Sequence, residues 1–137
     1  MQLIDKKTQE ILLESLLSYY DALQEGDLQK LSALMAKESY FVTLEAFCFK
    51  HAFKDAAFKK LLKEMDENEN SLKKVEAVLS EDLKKESRKH QIDEISFEQK
   101  GAGRITLHYK EDTHPKKMYY SYTNGGWKID FKAGRTL

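Results

Sequence analysis

The chain has 137 residues, 41% hydrophobic, 34% charged and 11% aromatic, a composition that suits one globular domain spanning 1–137 with a single core. Lysine plus arginine and aspartate plus glutamate both number 23, so a positive field able to grip phosphates is not a property of the whole molecule. The one cysteine, Cys48, excludes an internal disulfide, and no run approaches the ~18 apolar residues of a membrane span. The opening Met-Gln-Leu-Ile-Asp-Lys-Lys also lacks the apolar stretch of a leader. A soluble, cytoplasmic protein with neither nucleic acid nor membrane as partner is the expectation.

From Leu3 to about Glu25, Ile11-Leu12-Leu13, Leu16-Leu17, Tyr20 and Leu23 recur at helical spacing. Gly26 ends this helix, being the residue that tolerates the left-handed position past a helix end. Asp27 is an N-cap, and Leu28, Leu31, Leu34 and Met35 stripe a second, shorter helix. Tyr40 to Phe49 is rich in aromatic and β-branched residues, which favours a short strand with Phe41, Thr43, Glu45 and Phe47 on one face. The same letters fit two helical turns through Phe41, Leu44, Phe47-Cys48 and His51. Lys54 to about Asp66 reads as helix, carrying Phe58, Leu61-Leu62 and Met65. After a polar break at Asp66–Asn70, Ser71 can cap a further helix to about Glu86, striped by Leu72, Val75, Leu79 and Leu83.

Beyond Arg88-Lys89-His90 the hydrophobic period changes from helical to two. Ile95 and Phe97 alternate with Glu94, Ser96 and Glu98, and Ile105, Leu107 and Tyr109 with Thr106, His108 and Lys110. A three-residue loop, Gly101-Ala102-Gly103, with Gly103 left-handed, pairs Phe97 with Leu107 and Glu94 with Lys110. The final hairpin turns at Asn124-Gly125, the pair best able to supply two positive φ values. That turn sets Tyr122 opposite Trp127, Tyr120 opposite Ile129 and Met118 opposite Phe131, leaving Ser121, Lys128, Tyr119 and Asp130 on the other face. Strands near 92–99, 104–110, 117–123 and 127–132 follow, with Trp127 buried beside Tyr122. One apolar sheet face and a helical first half predict an α+β fold, N-terminal helices packed on a C-terminal antiparallel sheet.

The segment Tyr19-Tyr-Asp-Ala-Leu-Gln-Glu-Gly-Asp-Leu-Gln-Lys-Leu-Ser-Ala-Leu-Met35 resembles the opening helix pair of the nuclear transport factor 2-like superfamily, joined at Gly26-Asp27. Phe53 to Leu62 is similar to that superfamily's third helix, and Gly125-Gly-Trp-Lys-Ile129 to its closing strand. The resemblance implies a cone-shaped α+β barrel, a curved sheet wrapping the helices around a pocket, on which enzymes, transport factors and binding domains are all built. In the steroid-isomerase branch an oxyanion-hole tyrosine stands seven residues before the corner glycine, the position of Tyr19. The general-base position falls on Thr43 without gaps, and Glu45 is the nearest carboxylate on the same strand face.

Tyr19, Glu45 and His51 are therefore acid/base candidates, set against the simpler reading of a boundary tyrosine and a solvated glutamate. Cys48 and His51, three apart, offer a thiolate–imidazole pair, although a cysteine between two phenylalanines is more often plain core. The histidines 51, 90, 108 and 114 lack metal-ligand spacing, no phosphate-cradling glycine loop opens a helix, and no metal or other cofactor is expected. Lys84-Lys85, Arg88-Lys89 and Lys116-Lys117 are interleaved with acids and lack a stacking platform. The leading expectation is a noncatalytic domain binding a small apolar ligand or protein partner in a pocket lined by Tyr19, Phe41, Phe47, Phe58, Tyr109 and Trp127. The alternatives are a lyase, isomerase or hydrolase using Glu45 and Tyr19, and an assembly protein forming a weak homodimer through its sheet.

Overall fold

The structure is a computed structural model that describes residues 4–134. Five helices come first: α1 Lys6–Glu25, α2 Leu28–Leu34, α3 Lys37–Lys54, α4 Ala56–Glu64 and α5 Glu69–Glu86. They precede a four-stranded antiparallel sheet in the order β1-β2-β3-β4: Ile92–Gly101, Arg104–Glu111, His114–Thr123 and Gly126–Ile129. The fold is α+β, with the helices N-terminal to the sheet.

The α1–α2 corner closes through backbone geometry. Gly26 sits at φ +69°, and the amides of Gly26 and Asp27 bond to the carbonyls of Leu23 (3.4 Å) and Ala22 (3.0 Å). These two bonds satisfy carbonyls that the helix end would otherwise leave open. Asp27 then accepts from the Lys30 amide at 3.0 Å and starts α2.

The strand expected over 40–49 is not formed; the segment lies inside α3. Tyr40, Leu44 and Cys48 are buried four residues apart, so the period of the covered side chains is helical. The strand face of Phe41, Thr43, Glu45 and Phe47 is split: Thr43 is buried, while Glu45 and Phe47 are exposed. Thr43, β-branched and unfavourable in a helix, bonds its hydroxyl back to the Ser39 carbonyl at 2.9 Å. Extended pairing in this region shrinks to one parallel bridge, Met35 with Ile129, beside a 2.8 Å bond from the Ala36 amide to the Ile129 carbonyl. α5 also begins earlier than expected, because Asn68 caps the Asn70 and Ser71 amides, leaving Ser71 inside the first turn and buried.

Both sheet registers follow the sequence pattern. Phe97 lies opposite Leu107, Tyr120 opposite Ile129 and Tyr122 opposite Trp127, and Asn124 and Gly125 take φ +50° and +80°. Three details differ. The β1–β2 turn tightens to Ala102-Gly103, with an irregularity between Gln99 and Gly101. A second, where Glu94 takes φ +53°, puts Asp93 opposite Lys110, although Lys110 Nζ still reaches Glu94 at 2.6 Å. β4 stops at Ile129, short of the expected 132, so the expected pairing of Met118 with Phe131 is not formed: Phe131 opens a short 3-10 turn, Phe131–Gly134, with its amide bonded to Ser39 Oγ at 3.0 Å.

The core lies between the inner sheet face, Ile105, Leu107, Tyr109, Met118, Tyr120 and Ile129, and the helix faces carrying Leu12, Leu16, Leu31, Leu44 and Leu79. Helical cover runs out at the tip of the last hairpin. Trp127 packs edge-on against Tyr122 at 5.3 Å between ring centres, but Trp127 is only half-buried and Tyr122 is 52% exposed, so the expected burial of this pair is partial.

Candidate functional site

At one end of the helix–sheet interface is a cleft of about 330 Å³. α1 supplies Tyr19, Tyr20 and Leu23, α3 supplies Phe47, and α5 supplies Leu83 and Glu86. Arg88 and His90 come from the α5–β1 connection, Glu111 from the end of β2 and Lys116 from the start of β3. The β1–β2 register explains the polar half. Pairing Ile92 with Glu111 carries residues 88–91 alongside 111 and 112. Two bonds lock that contact, Asp112 amide to Gln91 carbonyl (2.9 Å) and Gln91 amide to Asp112 Oδ1 (3.0 Å).

The polar groups form one network. Tyr20 donates to Glu111 Oε1 at 3.1 Å, which uses its only proton, so Tyr109 donates to the Tyr20 oxygen across 2.7 Å. His90 Nδ1 stands 2.7 Å from Glu111 Oε2 and 3.0 Å from Arg88 Nη2. Arginine and carboxylate each have a fixed role, so Nδ1 can serve only one of them. The shorter, charge-assisted bond to Glu111 assigns the proton to Nδ1 and leaves Nε2 as the acceptor in the neutral ring. Arg88 bonds Asp112 Oδ2 at 2.6 Å and approaches Glu111 Oε2 at 3.3 Å. The Gln91 amide, followed by Arg88, holds the Asp112 carboxyl below its usual range. Burial raises the hydroxyl pKa of Tyr19, and burial with the Tyr109 and Glu111 contacts raises that of Tyr20, so both stay neutral at physiological pH.

His90, Glu111 and Asp112 bring three potential metal-ligand atoms within 4.8 Å of one another. Arg88, bonded to both carboxylates, already sets one positive charge where a cation would sit, and the guanidinium would have to move to admit one.

The structure disperses the residues singled out from sequence. Tyr19 and Phe47 meet at the cleft. Phe41 and Glu45 lie together in a separate shallow groove with Leu62 and Met65. Phe58 is buried on α4 against the His51 ring, 5.5 Å between centres, and Trp127 lies on β4 beside Tyr122. Tyr109 sits behind the cleft wall through its bond to Tyr20. Cys48 and His51 do not form a pair. His51 Nε2 bonds Asp82 at 2.6 Å, while burial, with Asp82 nearby, pushes the Cys48 thiol up to about 11. Tyr20, Leu23 and Leu83 read in sequence as helix-stripe residues, Arg88 as part of a mixed-charge run and His90 as a histidine without metal-ligand spacing; none of these, nor Glu111, reads there as a site residue. The signal that reaches His90 and Glu111 is the hairpin register, which places two segments about twenty residues apart side by side.

No protein-family model, curated protein or solved structure matches the chain. Among the described residues no helix is long and apolar enough to cross a membrane.

Proposed function

We propose that this chain is a noncatalytic binding domain of the nuclear transport factor 2-like kind, whose cleft takes a small molecule with a flat apolar body and a hydrogen-bonding end. The observation that carries the reading is the division of the cleft wall. Tyr19, Leu23, Phe47 and Leu83 offer apolar area, and the opposite side is a Tyr20–Glu111–His90–Arg88 network whose members already bond one another. Glu111, held by three partners, is committed to the network rather than left free to act as a base itself. Glu45 is exposed and lies in another groove from Tyr19. The superfamily reading is supported by the Gly26-Asp27 corner, by helices leading into an antiparallel sheet, and by the Met35–Ile129 bridge in the segment after the second helix.

Titration with anilinonaphthalene sulfonate, an aromatic probe with one polar end, tests the proposal. Saturable binding should weaken about tenfold in Phe47→Ser, the loss expected when one aromatic contact is removed. Tyr122→Ser, at the exposed hairpin tip, should leave it unchanged. Equal effects of the two substitutions would refute the cleft as the binding site. One observation favours an acid/base enzyme: Glu111 anchors His90 Nδ1 and leaves Nε2 without a hydrogen-bond partner among the described residues. A hydrolase or isomerase activity lost in His90→Gln, with folding intact, would establish that reading instead.

A further inference from the structure

The described residues gather much of their exposed apolar surface on one helix. Val42 is 52% exposed, Phe49 66% and Phe53 82%, all on α3. With Ala46, also exposed, they recur at i, i+4, i+7 and i+11, which at ~100° per residue keeps all four within about 60° on the helix surface. The Phe49 and Phe53 rings stand 6.4 Å apart. Tyr40, Leu44 and Cys48 already bury the opposite face in the core, so α3 presents two apolar faces and the fold covers one. The spacing of the uncovered stripe is that of a seam between two helices.

Charges flank the stripe in a sided way. Glu38 and Glu45 run along one edge, Lys50 and Lys54 along the other. Glu38 is paired with Lys132, and Lys50 approaches Asp82 only to 3.9 Å while remaining 64% exposed. Glu45 and Lys54 have no ion-pair partner among the described residues. In an antiparallel twofold pair each edge meets its own kind, acid on acid and base on base. In a parallel pair each edge meets the opposite edge, and Glu45 of one copy approaches Lys50 of the other, five residues further on. The outer sheet face offers no comparable opportunity, since Glu98 and Glu94 there already bond His108 and Lys110.

We infer that a second copy of this chain covers this face, α3 against α3 in parallel register, with Val42, Ala46, Phe49 and Phe53 forming the seam. One short helix pair lies at the small end of stable interfaces, so the dimer forms with a Kd of roughly micromolar order.

Sedimentation velocity across ~1–100 µM tests this, with circular dichroism to verify the fold of each variant. A reversible monomer–dimer equilibrium is expected, weakened at least ~10-fold by Phe53→Glu, which sets two carboxylates against the seam. Glu45→Lys should raise Kd about fivefold, and Glu45→Lys with Lys50→Glu should return it to within about twofold of the starting value. Ala46→Cys should cross-link to itself under mild oxidation, because equal positions meet across a parallel twofold. A monomer throughout the range overturns the inference, including one that instead co-sediments with anionic lipid vesicles. A dimer that survives Phe53→Glu overturns it in favour of a sheet interface. An Ala46→Cys dimer that does not cross-link overturns the parallel register.

Discussion

Gly26→Ala tests the joint between the helical corner and α5. Two separate costs arise there. The glycine adopts φ +69°, a conformation that costs an L-residue ~1–2 kcal/mol. A Cβ built on it would also lie 2.8 Å from the Ser80 carbonyl oxygen and 2.9 Å from Lys84 Cγ. The lysine chain can swing aside, but the Ser80 carbonyl belongs to the α5 backbone, and α5 is held here by the 2.8 Å bond from Ser80 Oγ to the Gly26 carbonyl. Moving the backbone apart weakens that bond, a neutral hydrogen bond of ~0.5–1.5 kcal/mol, and loosens the packing behind it. The sum is about 3 kcal/mol, a large share of the ~5–15 kcal/mol typical of a domain. Gly125→Ala supplies the control: its φ is +80°, but a Cβ there meets nothing within 4 Å, so it carries only the conformational cost of ~1–2 kcal/mol. Urea unfolding of both variants, followed by circular dichroism, measures the difference. Equal losses would show that α5 does not press against the corner. A loss below ~0.5 kcal/mol in both would refute the left-handed assignments themselves.

Two further outcomes follow from buried polar groups. Tyr20→Phe deletes the hydroxyl joining Tyr109 to Glu111 and should cost ~1–3 kcal/mol, with a coupling of at least ~0.5 kcal/mol to Glu111→Gln in a double-mutant cycle; additive losses would show that the network is not formed. Stability should hold below pH 9 and fall as pH rises toward about 11, because the unfolded chain releases the Cys48 proton before the folded one does. Cys48→Ala should flatten that part of the curve; the same decline from pH 9 in both proteins would remove Cys48 as its cause.

Local chemistry fixed much of the architecture. A glycine that tolerates positive φ followed by a capping aspartate made the Gly26-Asp27 corner legible, and Asn124-Gly125 with period-two alternation set the register of the last hairpin as far as the pairing of Tyr120 with Ile129, where β4 ends before Phe131 can meet Met118. These features depend on backbone conformation and on neighbours a few residues away, which sequence displays directly. The 40–49 segment was not legible for the opposite reason. Its aromatic and β-branched residues suit either period, and helix prevailed because Tyr40, Leu44 and Cys48 find core on one side. The cleft lay further still from sequence. His90, Arg88 and Glu111 are ordinary charged residues until β1 folds back on β2, and Tyr20 is a stripe residue until its hydroxyl reaches Tyr109 and Glu111 across 89 and 91 positions. The uncovered face of α3 is likewise a tertiary result. Phe49 and Phe53 look like core in sequence, and only the packing of the helix shows which of its two apolar faces the fold leaves uncovered.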